Sequence, residues 1–180
     1  LFVLLLYFST GCGGPDLDCG DNGRCANILG LLAPPECVCE RGVVGGDDTA
    51  VGDGVLIGVS GFQKSMMAVR MGGRGDVTDN HRLWHVEKTQ QRIGSGVVRD
   101  GFLYVSNATG IAECIDIKTG SSVWKERLGG NLWGSMLLAG ERLYVSNTQG
   151  EIFILDANPK YQLVAKNSMG EHIKSALAPS

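Results

Sequence analysis

Between Ile111 and Ile117, side chains fall alternately on two sides. Ile111, Glu113, Ile115 and Ile117 share one side, and Ala112, Cys114 and Asp116 the other. A period of two is that of a β-strand. The stretch before it predicts a hairpin: Val97-Val98, a turn at Arg99-Asp100-Gly101, then Phe102 to Val105. Asp-Gly between apolar runs is a strong hairpin signal. Turns at Asn107 to Gly110 and at Lys118-Thr119-Gly120 bound the alternating strand, and Ser122 to Leu128 follows as a fourth.

The pattern then recurs. Leu103-Tyr104-Val105-Ser106-Asn107 returns forty residues on as Leu143-Tyr144-Val145-Ser146-Asn147. Gly94-Ser95, Gly110, Asp116 and the spacing of Trp84 to Trp124 obey the same offset, with partners Gly134-Ser135, Gly150 and Asp156. Strands are predicted over Met136 to Ala139, Arg142 to Asn147, Glu151 to Asp156 and Tyr161 to Lys166, with a looser turn at Asn158-Pro159. An earlier, divergent copy opens at Asp53-Gly54. It has strands over Val55 to Ser60, Met66 to Met71 and His81 to Val86, and a turn swollen by residues 72–80. Four short strands per period of about forty are the signature of a β-propeller blade.

The fold expected is therefore all-β: a partial β-propeller of about three four-stranded blades over residues 51–180, preceded by a small cysteine-rich segment. Closed propellers have roughly 4–8 blades, and Ile173 to Ser180 fall where another blade should open. The chain reads as a fragment of a longer product.

Glycine strengthens this reading. There are 27 glycines against 5 prolines, placed mostly between apolar runs, as tight turns require. The net charge of -3, with scattered Lys and Arg, excludes the basic footprint of nucleic-acid binding. Five of the 6 cysteines, Cys12, Cys19, Cys25, Cys37 and Cys39, crowd the first forty residues. Such density points to an oxidising compartment, hence to an extracytoplasmic place. The spacings do not suit paired zinc knuckles.

Residues 1–11 read as a truncated signal or lipobox segment. Leu1 to Phe8 is apolar but too short to span a bilayer, and Ser9-Thr10-Gly11-Cys12 resembles a bacterial lipobox despite Ser9, where Leu or Val is usual. Cys12 is then a lipidation candidate and a membrane tether. Residues 12–50, with Cys-Gly-Asp-Asn-Gly-Arg-Cys and later Cys-Val-Cys-Glu-Arg-Gly, resemble an epidermal-growth-factor-like module without its sixth cysteine. Cys12 is either the first cysteine of that module or the lipidated one. In the second case Cys19, Cys25, Cys37 and Cys39 form an even set of candidate disulfide partners.

One motif carries a more specific likeness. Cys114-Ile-Asp116-Ile-Lys-Thr119-Gly120-Ser-Ser-Val-Trp124 resembles the tryptophan-docking motif of the pyrroloquinoline-quinone-repeat (quinoprotein-like) propellers, with Cys114 in place of alanine. Its spacing has a physical use. Thr119-Gly120 makes the turn, Asp116 can accept hydrogen bonds from turn amides, and Trp124 packs between blades. In the following copy Asp156 survives, but Asn158-Pro159-Lys160 replaces Thr-Gly. Trp84 survives in the preceding copy.

The resemblance implies one of two branches. Quinone-dependent dehydrogenases hold pyrroloquinoline quinone and calcium on the axis, and carry a vicinal cysteine pair that this sequence lacks. The other branch has no cofactor and includes the outer-membrane assembly lipoprotein that scaffolds β-barrel insertion. The second is expected here: a cofactor-free, non-catalytic propeller that binds protein in the bacterial cell envelope. The alternatives are a fragment of an alcohol or sugar dehydrogenase and an extracytoplasmic sensor domain.

The remaining chemistry reads as structural. Glu113 and Glu151, the acids available for calcium, are expected to face solvent. His81 and His85 would lie about 13 Å apart on a strand, too far to share a metal, and read as solvated. Asn107-Ala108-Thr109 has the glycosylation pattern but sits in a turn. Gly73-Arg74-Gly75-Asp76 and Arg41-Gly42-Val43-Val44 match adhesion and protease-activation motifs by chance; no protease histidine or serine setting accompanies the latter. Trp133, after Gly129-Gly130, is expected by default to pack between blades, the alternative being that it lines a binding face.

Overall fold

A computed structural model describes residues 24–27, 37–40, 48–59, 65–73, 77–90 and 92–178. These fall into two compact units. One holds the hairpin of β1 (Arg24–Asn27) and β2 (Cys37–Glu40), together with Arg70 to Arg82. The hairpin is antiparallel, with Cys25 opposite Cys39 and Asn27 opposite Cys37. Cys12 and Cys19 lie outside the described residues, as does the Arg-Gly-Asp tripeptide.

The other unit contains the blades, save for the terminal Arg70 and Arg82 of two strands, and each blade is a four-stranded sheet in simple up-and-down order. The first is β3 (Asp48–Gly52), β4 (Val55–Val59), β5 (Met66–Arg70) and β6 (Arg82–Val86). The second is β7 (Val97–Arg99), β8 (Phe102–Ser106), β9 (Ile111–Asp116) and β10 (Ser122–Arg127). The third is β11 (Leu137–Ala139), β12 (Arg142–Ser146), β13 (Glu151–Asp156) and β14 (Leu163–Ser168). β3 lies beyond the strands that the hydrophobic pattern marks in the divergent copy, and it completes the first sheet.

The hairpin turns follow the sequence. Arg99 pairs with Phe102, so Asp100-Gly101 is a two-residue loop with φ of 51° and 82°. Both central residues take the left-handed conformation that matches strand twist, which glycine and aspartate tolerate best. Asp53-Gly54 repeats this geometry in the first blade.

Two apolar layers form between successive sheets. Val55, Ile57 and Val59 of the first blade meet Leu103, Val105, Ile115 and Ile117 of the second. Tyr104, Ala112, Cys114 and Trp124 of the second meet Leu143, Val145, Phe153 and Leu155 of the third. β9 thus buries both faces, because a blade is covered on either side by its neighbours.

Candidate functional site

The motif residues separate into two docking contacts at successive blade interfaces. Trp84, on β6, donates from its indole Nε1 to the Ile117 carbonyl at 2.8 Å. Gly120 faces the same ring: a Cβ there would stand 2.7 Å from Trp84 Cδ2, and its φ is +72°. Only glycine satisfies both the left-handed turn and the flat approach of the indole.

Asp116 builds that turn. Its Oδ1 accepts from the Lys118 and Thr119 amides, both at 2.9 Å, and from the Thr119 hydroxyl at 3.1 Å. The Thr119 amide, ahead of a small opposing effect of burial and with help from Lys118 and the Thr119 hydroxyl, holds the Asp116 carboxyl below its usual range. The motif's aspartate therefore shapes a landing platform for the preceding blade's tryptophan.

Trp124 makes the second contact, donating from Nε1 to the Asn158 carbonyl at 3.1 Å. Its ring meets Tyr161 edge-on at 5.3 Å and Tyr104 at 6.2 Å. Here the platform is built differently. Asp156 pairs with Arg142, and Asn158 Oδ1 accepts from the Lys160 amide at 2.9 Å. Cys114 lies fully buried beside Tyr104. Burial, partly opposed by the hydrogen bond to Tyr104, pushes its thiol up to about 12, and burial together with Cys114 pushes the Tyr104 phenol up as well. The thiolate is the reactive form. We therefore expect Cys114 to resist iodoacetamide at pH 8 in the folded chain and to react in urea, read by peptide mass mapping; modification without denaturant would contradict this burial.

Three expectations require correction. Glu113 does not face solvent: it is 7% exposed, and its Oε2 lies 2.6 Å from Arg92 Nη2. A charge on a strand reads as outward only when one face is wet, and β9 has no wet face. Trp133 is 39% exposed and belongs to neither of the buried clusters between blades. His85 is half-buried, with Nε2 shut off from water and without a partner. Glu151 is engaged too, by Lys166 at 2.6 Å and by Asn147 Nδ2 at 2.7 Å, and Lys166 first, then Asn147, lowers its carboxyl range.

The repeated asparagines are turn organisers. Asn107 Oδ1 accepts from the Thr109 and Ile111 amides at 3.0 and 3.1 Å, and Asn147 Oδ1 does the same for Gln149 and Glu151. Asn107 is fully buried, which leaves its amide unavailable to a glycan.

Among the described residues, two of the exposed large apolar groups lie in the linkers between blades, and Val51, Met71, Val123, Leu163, Val164 and Met169 are exposed elsewhere. In the linker from β6 to β7, Arg92 is buried and Ile93 is 42% exposed. Forty residues on, in the linker from β10 to β11, Leu132 is buried and Trp133 exposed. The linkers touch: the Ser95 amide donates to Ser135 Oγ at 3.0 Å, and the Met136 amide to the Ser95 carbonyl at 3.2 Å. Neither the equivalent serines Ser95 and Ser135 nor the exposed linker residues stand out by composition. Their signal is position within the repeat.

A family model described as outer membrane protein assembly factor BamB, built on the PQQ repeat, matches residues 49–169. The chain belongs to this family. The match begins within β3 and runs through all three blades of this BamB-family chain. A comparison with curated proteins finds no match. Among solved structures, BamB from Moraxella catarrhalis is 16% identical, with a TM-score of 0.55 over 73% of this chain and 39% of that chain. A europium-containing methanol dehydrogenase is 14% identical, with a TM-score of 0.53 over 66% and 23%. BBS1N, solved in complex with ARL6DN, is 14% identical, with a TM-score of 0.51 over 67% and 35%. At these identities the likeness is one of fold. The BamB-family chain spans well under half the length of each of these three.

Proposed function

We propose that the chain is part of a non-catalytic, cofactor-free propeller that binds protein in the bacterial cell envelope. The observation that carries this reading is the repeated display of an apolar side chain at one linker position, Ile93 and then Trp133. Contiguous apolar surface held in water is a mark of interaction sites, and the two linkers that carry these residues touch. Family membership supports the envelope setting, and BBS1N, similar in fold, was solved in complex with ARL6DN.

The acids that these blades offer for calcium are engaged within the chain. A calcium ion needs several oxygen ligands, carboxylates above all. Glu113 and Glu151 are both taken by the chain's own donors, and Asp116 by its turn. These acids do not fit the quinone–calcium site.

The test gives the complete gene product pyrroloquinoline quinone and calcium, with alcohols and sugars as donors and a redox dye as acceptor. No dye reduction is expected. In parallel, cross-linking in intact cells from a photoreactive residue at position 133 is expected to trap an envelope protein. Quinone-dependent reduction of the dye would overturn the scaffold reading.

A further inference from the structure

We propose that Cys25 and Cys39 form a disulfide that ties β1 to β2, and that Cys37 takes no part in this bond. The inference does not depend on the protein-binding reading above. It concerns the cysteine-rich hairpin and rests on strand register.

Five cysteines crowd the first forty residues, and composition leaves their pairing open. Register decides it for the hairpin. Cys25 stands directly opposite Cys39, and Cys37 opposite Asn27. Opposed residues of an antiparallel pair have Cα atoms about 5.5 Å apart at a hydrogen-bonded site and about 4.5 Å apart at a non-hydrogen-bonded one. A disulfide joins Cα atoms about 4.4–6.8 Å apart. Either kind of site therefore suits a bond, and opposed residues belong to the same face of the sheet.

The competing pairs fail on the same scale. Cys25 and Cys37 are diagonal neighbours across the ladder. Diagonal Cα atoms are about 7–8 Å apart, which a disulfide does not span unless the backbone moves. Cys37 and Cys39 lie two positions apart on β2, about 6.8 Å at the rise of an extended chain. Residues i and i+2 of a strand share a face, so Cβ atoms there keep nearly that spacing, against about 3.5–4.5 Å in a disulfide.

The hairpin gains from the bond. Each strand has four residues, and a two-stranded hairpin by itself is marginal in water. Besides the cysteines, Ala26 and Val38 are the only apolar residues of the two strands, and they stand opposite each other. One such pair offers little burial against the entropy of ordering the chain. A cross-link between the strands lowers the entropy of the unfolded hairpin instead.

Formation is a two-electron oxidation. Each thiol loses its hydrogen and one S–S bond forms. Two electrons and two protons pass to a disulfide oxidant such as oxidised glutathione, which leaves as two thiols.

The experiment reduces the purified full chain, oxidises it with oxidised glutathione, alkylates it with iodoacetamide without further reduction, and digests it with trypsin and Glu-C. Cleavage after Arg24, Glu36 and Glu40 puts Cys25 on one peptide and Cys37 with Cys39 on another. Mass spectrometry is expected to find these two peptides joined, and fragmentation at Val38 to place the bond on Cys39. Two variants check the assignment, with the fold of each followed by circular dichroism. The joined species should persist in Cys37→Ser and fall at least tenfold in Cys39→Ser. A bond on Cys37, a joined species that survives Cys39→Ser undiminished, or alkylation of both Cys25 and Cys39 in the oxidised parent would each overturn the proposal. None of these outcomes bears on dye reduction, so the scaffold reading stands or falls separately.

Discussion

Glu113→Leu is expected to destabilise the chain by about 3–5 kcal/mol, because it strands the Arg92 charge in a place that water does not reach. The pair is 2.6 Å apart, and the two residues are 3% and 7% exposed. The repeat supplies its own control. Forty residues on, the corresponding positions hold Leu132 and Phe153, both buried in the layer between the second and third blades. The double variant Arg92→Leu with Glu113→Phe should therefore recover most of the loss, and a gain of about 1–4 kcal/mol over the parent is in the range seen when buried ion pairs give way to packed apolar groups. Urea unfolding of the parent, the single variant and the double variant measures this directly. A double variant as unstable as the single one would show that the niche is shaped for the ion pair in a way that the third blade's solution cannot replace.

Trp124→Ala should cost about 3–5 kcal/mol, the usual loss for a large aromatic removed from a packed layer. The indole is 9% exposed, touches Tyr104 and Tyr161, and donates to the Asn158 carbonyl. Trp124→Phe should lose less, with about 1 kcal/mol of it assigned to the missing hydrogen bond. The damage should be local. Blades contact only their neighbours, so amide exchange should quicken in β12 and β13 while Ile57 and Val59, in the first layer, keep their protection. Uniform loss of protection across all three blades would mean that the sheets unfold as one unit, and the nearest-neighbour account would fail.

Much of the architecture was legible in the chain. The Asp-Gly loops, the alternation through β9 and the return of Leu-Tyr-Val-Ser-Asn after forty residues are local signals, and each became a hairpin, a strand or a turn where expected. The docking motif was legible for the same reason: Asp116, Thr119 and Gly120 make one tight turn whose chemistry is complete within five residues. β3 was not. Asp48 to Gly52 is short, begins with two polar residues and abuts the cysteine-rich stretch, so it lacks a period of its own. It is a strand because Val55 to Val59 pairs with it along its full length.

The candidate site shows the same division. Ile93 and Trp133 share a repeat position with a buried residue on either side, and that equivalence was present in the letters. Their exposure was not, since an apolar residue in a linker is expected to be covered. Glu113 was misplaced by the opposite error, since a charge on a strand is expected to be wet.

Sequence alone determined the blade, its turns, its period and the docking tryptophans, because these depend on neighbours a few residues away and on a pattern repeated in register. Tertiary structure alone decided which faces are dry, which charges are paired and which apolar groups are left in water. Those outcomes depend on how one sheet covers the next, and the contacts that set them join residues about twenty to forty positions apart, beyond the reach of any local period.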